Sequence, residues 1–509
     1  MRFLRRNALG VYAVYAATIV SGLVVTPITL HALGDEGFGI WSFIGSLTIY
    51  LALLDFGLGP SVVRFTAEAR GRRAPEDTNR LVSVALVLYA VIGVVTLAIG
   101  AVISWLSPLL IDAPDDLVWE TRVAAFLLTL SLASRFPLGL FYNLLGGHQR
   151  FDVQNLGNFL GTIVYAVLVA VLLPRGGGLI LLGVLTLAVT LFRLGLPLFW
   201  LRREFPDLHV RRAYVTRERV RELVGVSTSN FLVHVANKVV FSTDVIVVGI
   251  VLGPEAATLY ALPAKLFQLG FGLCSVGTTL MFPAFAEHEG AGEAERQRRL
   301  LLVGIRGSMA AALLVALPLL LLPDYLIEAW VRRDSYGESS PVLVLLAIVL
   351  LIHQPIYLLT NFLIARARQN EIARVLIGGV LVNVVLSLVL VQAVGIWGVA
   401  LATLISDLGV LLYVVPVLAA PAAGISVRAV ARAALRPFLP AVLAAVPLLV
   451  LAARAVDPDT LLELVPFGAA WIVLCSAAIW RFGLDPDERE VLGRTLRGRR
   501  GPAAAPEPV

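Results

Sequence analysis

The sequence predicts an all-α polytopic membrane protein of 14 transmembrane helices, arranged as two pseudo-symmetric six-helix bundles plus two C-terminal helices. Three observations predict it. The 509 residues are 58% hydrophobic and 15% charged, with a mean hydropathy of +0.86, too apolar for a soluble chain to cover with polar groups. Apolar runs of 18 or more residues recur from end to end. Ten-residue segments of strict apolar–polar alternation, the mark of a membrane β-barrel, are absent.

The elements follow in order. The start, MRFLRRNALGVYAVYAATIV, places basic residues before an apolar run too long for a signal peptide, with no small-residue cleavage site, so it reads as a retained first helix over 9–31. Further spans are expected over 38–63, 81–111, 121–145, 156–174 and 179–201, which close an N-terminal bundle over 1–201. Segment 202–222, RREFPDLHVRRAYVTRERVRE, is long and basic and is expected to lie along the headgroups as an interfacial helical linker. A second bundle over 223–418 takes spans 223–251, 258–282, 300–323, 341–364, 372–394 and 398–418. In 419–436, Arg428, Arg432 and Arg436 recur every four residues and share one face of an amphipathic interfacial helix. Two additional helices, 437–455 and 464–482, fill 437–482, and 483–509 is expected to be a disordered cytoplasmic tail.

Lys and Arg set the orientation. The N-terminus, the even-numbered connections and the tail carry 29 of them; the odd-numbered connections carry five, Arg122, Arg175, Arg332, Arg333 and Arg454. Both termini are therefore expected in the cytoplasm. The net charge of +6 is spread as a topology signal, with no concentrated basic patch for a nucleic acid. Cys274 and Cys475 lie far apart in apolar spans and read as small core residues, with neither a disulfide nor a metal site implied.

The chain also repeats. LGDEGFGIW at 33–41 matches LGPEAATLY at 252–260, and Ala67-Glu68 matches Ala286-Glu287, both at an offset of 219. Asn143 and Arg150 match Asn361 and Arg368 at an offset of 218, and Gly183-Val184 matches Gly398-Val399 at 215. A repeat of six spans, an even number, relates two halves by an axis along the membrane normal, as in transporters with a cavity between halves.

Charges inside the spans carry the functional signal. Arg135 and Arg193 each fall about 14 residues in from the outer side, or ~21 Å at ~1.5 Å per residue. Lys238 is near mid-depth, and Lys265 follows Pro263 in the outer half of its span. The acids are Asp55, Asp244 and Asp407, with His353 also deep. The 218 offset maps Arg135 onto His353. Each such charge costs about 2.5–3.5 kcal/mol on insertion, so four cations demand a hydrated cavity or counterions. Internal pairing, such as Arg193 with Asp407, is the alternative to a cationic lumen. Asp55, Asp244 and Asp407 could also bind a coupling H+ or Na+. No Gly-rich phosphate loop, metal-ligand cluster or paired loop carboxylates suggest an enzyme, and no other cofactor is implied.

The stretches LGDEGFGIWSFIGSL, LLDFGLGPSVVRFTAEA, LLGGHQRFDVQN, STDVIVVGIVLGPEAATLY and VGIWGVALATLISD resemble the polysaccharide exporters and flippases of the multidrug/oligosaccharidyl-lipid/polysaccharide superfamily, in matching order over nearly the whole chain. The resemblance implies a flippase of the bacterial cytoplasmic (inner) membrane that moves undecaprenyl-diphosphate-linked oligosaccharide repeat units to the outer leaflet for surface polysaccharide synthesis. It implies that lumen cations meet the diphosphate, a role that falls on Lys238 and Arg135 first and on Lys265 and Arg193 next. A lipid-linked oligosaccharide, membrane lipids, glycosyltransferases and a polysaccharide polymerase are the partners it implies. The related lipid II flippases carry an Arg–Asp pair early in helix 1; no charge stands between Leu9 and Leu30 here. The rival readings are a drug/cation antiporter of the same fold and a membrane polysaccharide polymerase or ligase, which would need a larger outward loop than any present.

Overall fold

The computed structural model describes residues 2–205, 208–332, 334–444, 447 and 461–483, with side chains except at 2–9, 11–12, 204, 222, 226–241, 280, 334–335 and 461–465. Among the described residues the chain is helical, with no strand, and eleven helices are long and apolar enough to cross a membrane. Two of these, Ala13–Asp55 with 43 residues and Ser242–Gly290 with 49, are about twice the length that a ~30 Å hydrocarbon core needs. Each is interrupted by a glycine that the sequence pattern had placed between two spans. In α1 (Arg2–Leu51) Gly34 has φ 72° and ψ −178°, and in α7 (Arg217–Gly290) Gly253 has φ 86° and ψ −176°. Only glycine enters that region without strain. The expected span 437–455 falls partly outside the described residues.

The remaining elements are α2 (Leu58–Gly71), α3 (Pro75–Leu110), α4 (Val118–Gly147), α5 (Phe151–Leu172), α6 (Gly178–Glu204), α8 (Ala294–Leu321), α9 (Pro323–Val331), α10 (Ser340–Ala365), α11 (Gln369–Val394), α12 (Ile396–Tyr413), α13 (Ala420–Ala423), α14 (Val427–Leu435) and α15 (Leu461–Ala478). They form two compact units. The first holds Met1–Lys265 and Leu376–Thr403. Within it α4 packs on α3, α6, α2 and α1, while α5 packs on α1 and α6. Its core joins Val82, Tyr89, Leu132, Phe136, Leu140 and Leu144, with the Tyr89 and Phe136 rings stacked at 6.3 Å. The second holds Leu266–Val375 and Leu404–Val509. There α8 packs on α10, α14 and α15, and Trp471 Nε1 donates to Leu314 O at 2.9 Å.

The helix corners repeat at the offsets read from the sequence. After α2, Arg72 N, Arg73 N and Ala74 N donate to Glu68 O, Arg70 O and Ala69 O; after α7, Ala291 N, Gly292 N and Glu293 N donate to Glu287 O, Glu289 O and His288 O. After α4, His148 N, Gln149 N and Arg150 N donate to Leu144 O, Gly146 O and Leu145 O; after α10, Arg366 N, Ala367 N and Arg368 N donate to Phe362 O, Ile364 O and Leu363 O. Each corner ends its helix on a left-handed residue, Arg73 at φ 54°, Gly292 at 70°, Gln149 at 61° and Ala367 at 57°. Corresponding corners lie 219 and 218 residues apart.

Two local expectations divide. α14 forms where Arg428 and Arg432 share a face, capped by Ser426 Oγ accepting from Ala429 N at 3.2 Å. The 202–222 linker is not one interfacial helix. α6 runs to Glu204, and 208–211 is irregular, pinned to α3 by His209 N donating to Asn79 Oδ1 at 3.1 Å and Arg211 N to Ser83 Oγ at 3.0 Å. Those side-chain acceptors satisfy the backbone without helical hydrogen bonds.

Candidate functional site: a cationic cavity and two buried polar clusters

The first unit encloses a cavity of about 420 Å³ lined by Arg135 of α4, Arg193 of α6 and Asp55. Helical geometry brings them together. Asp55 ends a short 3-10 turn, and the chain then passes through left-handed Phe56 (φ 47°) and Gly57 (φ 75°) before α2 begins. Predicted span 38–63 is thus broken beside the cavity. Tyr89 hydrogen-bonds Asp55, and Asn143 Nδ2 donates to the Tyr89 hydroxyl at 3.4 Å.

Arg193 is held by neutral groups. Its Nη2 donates to Asn158 Oδ1 at 2.6 Å, and Asn158 Nδ2 donates to Tyr142 Oη at 2.9 Å. The stem lies against Gly161, where a Cβ would sit 2.1 Å from Arg193 Cγ. Tyr142 and Asn158 also line the cavity, and Arg135 presents an exposed side chain there. Gly161→Ala is therefore expected to displace the Arg193 guanidinium and slow transport roughly tenfold or more, as small misplacements at a reacting or binding group do. Protein yield should hold, and an unchanged transport rate would show that the position of Arg193 is immaterial.

The other sequence-predicted residues lie elsewhere. Lys265 is half-buried on α7 and does not line this cavity. The Lys238 side chain lies outside the described residues. Within the second unit Asp407 Oδ2 meets His353 Nδ1 at 2.8 Å, both residues buried, with the Phe271 ring edge-on to His353 at 5.2 Å. The partner of Asp407 sits 54 residues away in sequence, on α10, where one-dimensional spacing cannot reveal it.

Asp244 forms the second buried cluster. It is 2% exposed. Its Oδ2 accepts from Tyr260 Oη at 2.6 Å and from Thr403 Oγ at 3.1 Å. Thr403 also accepts from Asn383 Nδ2 at 2.9 Å and donates to Val399 O at 3.2 Å. One turn along α11 from Asn383 stands Ser387; both are 0% exposed, and Asn383 Oδ1 and Ser387 Oγ have no hydrogen-bond partner among the described residues. Sequence reading passed over Asn383, Ser387 and Thr403 because they are neutral. Their signal was polar residues four apart, Asn383 with Ser387 and Val399 with Thr403, inside apolar runs.

A family model described as polysaccharide biosynthesis protein matches residues 4–289, more than half of the chain. The chain belongs to that family. The chain is 22% identical over 338 residues to a protein of Salmonella typhi provisionally named as an O-antigen transporter, covering 65% of this chain and 76% of the relative. It is 21% identical over 325 residues to a similarly named protein of Shigella flexneri, covering 61% and 72%. Its fold is similar to that of the lipid II flippase MurJ in an inward closed conformation, with TM-score 0.68 at 12% identity over 93% of this chain and 98% of that one. It is also similar to an inward-facing multidrug resistance MATE transporter of the MOP superfamily, with TM-score 0.65 at 14% identity over 81% and 96%. The polysaccharide branch that the motifs resemble is thus the family found, and the eleven long apolar helices among the described residues mark a multi-pass membrane protein.

Proposed function

We propose that the protein flips undecaprenyl-diphosphate-linked oligosaccharide repeat units from the cytoplasmic to the outer leaflet of the bacterial inner membrane. In this reading fourteen spans form two six-helix halves and a further pair, both termini are cytoplasmic, and the halves rock so that access alternates. The observation that carries it is the cavity shared by Arg135 and Arg193. Arg193 is oriented by Asn158, with no carboxylate paired to it among the described residues. Two guanidiniums in a low-dielectric cavity suit a diphosphate, which accepts charge-assisted, bidentate hydrogen bonds. Lys238 and Lys265 extend the cationic path. Glycosyltransferases build the cargo, and a polymerase takes it up on the far side.

The Asp244 cluster serves as the coupling site. One carboxylate, the Thr403 hydroxyl and the Val399 carbonyl, with the Asn383 side-chain oxygen and the Ser387 hydroxyl one turn apart on α11, would supply oxygen ligands suited to a hard cation such as Na+. Asn383 Oδ1 and Ser387 Oγ, buried and without a hydrogen-bond partner among the described residues, are the groups such an ion would satisfy. The His353–Asp407 pair is the alternative, for a proton.

The test uses purified protein in proteoliposomes carrying a fluorescent, diphosphate-linked oligosaccharide lipid in one leaflet. Translocation is expected, and it should rise with a Na+ gradient. Movement of a lipophilic cation dye without the sugar lipid would establish the antiporter instead. Asp244→Asn is expected to abolish the Na+ stimulation and leave a basal rate; stimulation by a pH gradient alone, lost in His353→Ala, would move coupling to the second pair.

A further inference from the structure

A second cavity in the first unit, of about 600 Å³, shares no lining residue with the cavity of Arg135 and Arg193. It opens at the arginine-rich end, between the corner after α2, the corner after α4 and the segment that leaves α6. Arg70, Arg73, Arg150 and His148 line it, and no carboxylate does among the described residues. Its other wall is apolar, built from Leu144, Leu201, Phe205 and Leu208. We infer that this cavity holds the phosphate headgroup of an anionic phospholipid of the inner leaflet, with the acyl chains leaving along the apolar wall.

The walls are fixed before any ligand arrives. Arg70 Nη1 donates to His148 O at 2.8 Å and ties the two corners together. The His148 ring stacks on Phe205 at 4.1 Å. Arg150 is answered by Asp152 at 3.1 Å and lies over the Trp200 ring at 5.2 Å. Arg73 is different. It is exposed, and no carboxylate is paired with it among the described residues.

Its backbone makes the point more sharply. Arg73 occupies a left-handed corner at φ 54°, a conformation that costs a side-chain-bearing residue. The corner 219 residues on, with the same three backbone hydrogen bonds, uses Gly292 at φ 70°. A glycine would serve the turn at least as well. Arg73, facing a cavity with three further basic groups, is placed for an anion.

The anion is a lipid headgroup and not a soluble phosphate for two reasons. Leu201, Phe205 and Leu208 stand at and just beyond the end of the candidate span Gly178–Arg203, the level at which bilayer gives way to water. A soluble anion would gain nothing from that apolar wall, whereas a phosphodiester with tails would bury against it. Basic clusters at this level attract acidic lipids in addition.

Native mass spectrometry of the full chain released from nanodiscs containing equal phosphatidylglycerol and phosphatidylcholine tests this. Wild type is expected to retain phosphatidylglycerol several-fold over phosphatidylcholine. Arg73→Gly keeps the left-handed corner and should fold at least as well, with an unchanged or raised melting temperature and the lipid preference cut several-fold. Arg70→Gln should lower it further, and Arg428→Gln on α14 should leave it as in wild type. Equal retention of the two lipids, full preference in Arg73→Gly, or displacement of the lipid by millimolar inorganic phosphate would overturn the inference, the last in favour of a soluble ligand. Transport is not the readout, so failure here leaves the flippase reading untouched.

Discussion

Replacing Arg135 and Arg193 together by alanine is expected to reduce transport of the diphosphate-linked sugar lipid by about 10²–10⁴-fold. A hydrogen bond to a charged group is worth about 1.5–3 kcal/mol, and each ~1.4 kcal/mol is a factor of ten. One guanidinium lost should therefore cost roughly 10–100-fold, and two lost should compound unless the remaining one compensates. Both face a single cavity, so a double loss below the product of the two single losses would show that they act on one group of the cargo. Arg193→Lys is expected to fall between wild type and alanine. It keeps the charge but loses the planar fork that reaches Asn158. Yield and melting temperature of the variants should stay near wild type, since Arg135 is exposed to the cavity. Full transport by the double variant, at normal yield, would remove the cationic cavity from the mechanism.

Gly39→Ala is expected to prevent accumulation of folded protein. Gly39 lies on α1 where it meets the start of the second segment of α7. An added Cβ would stand 1.8 Å from Pro254 O and 2.7 Å from Pro254 C. Both are backbone atoms, so no rotamer change relieves the clash. Nearby, Thr258 Oγ donates to Asp35 O at 2.5 Å and Phe43 packs on Gly249, so the two segments cannot separate without loss. Overpacking a core costs about 1–3 kcal/mol when side chains can yield. Here the backbone must move, and the cost should exceed that range, a large part of a stability of ~5–15 kcal/mol. Gly45→Ala, on the same helix with open space around the added methyl, is the control and should be neutral or slightly stabilising. Equal yields for the two variants would show that the close approach is not structural.

What could be read in one dimension was what composition and periodicity encode. Long apolar runs located the spans, and the arginines of 202–222 and 419–436 stood out against them. Arg135 and Arg193 were found because a charge in an apolar run is rare, and they share one cavity. Gly34 and Gly253 already stood between predicted spans, but the break at Phe56–Gly57 was less visible. Glycine in LLDFGLGP is compatible with close packing as well as with a positive φ, and only the backbone decides. The joining of His353 to Asp407, and of Asp244 to Tyr260 and Thr403, was not visible at all, because residues 54 and 159 positions apart meet only through tertiary packing. Asn383 and Ser387 escaped notice because a neutral amide or hydroxyl costs little on a hydropathy scale, although burial makes it matter.

The matched corners after α2 and α7, and after α4 and α10, carry a historical consequence. A turn defined by main-chain hydrogen bonds and one left-handed residue places almost no demand on side-chain identity. A gene that doubled an ancestral unit would keep such turns long after its two copies ceased to look alike, and each copy would be at liberty to acquire its own chemistry. Arg73 at one corner and Gly292 at the other show how far the side chain can differ while the turn stays the same.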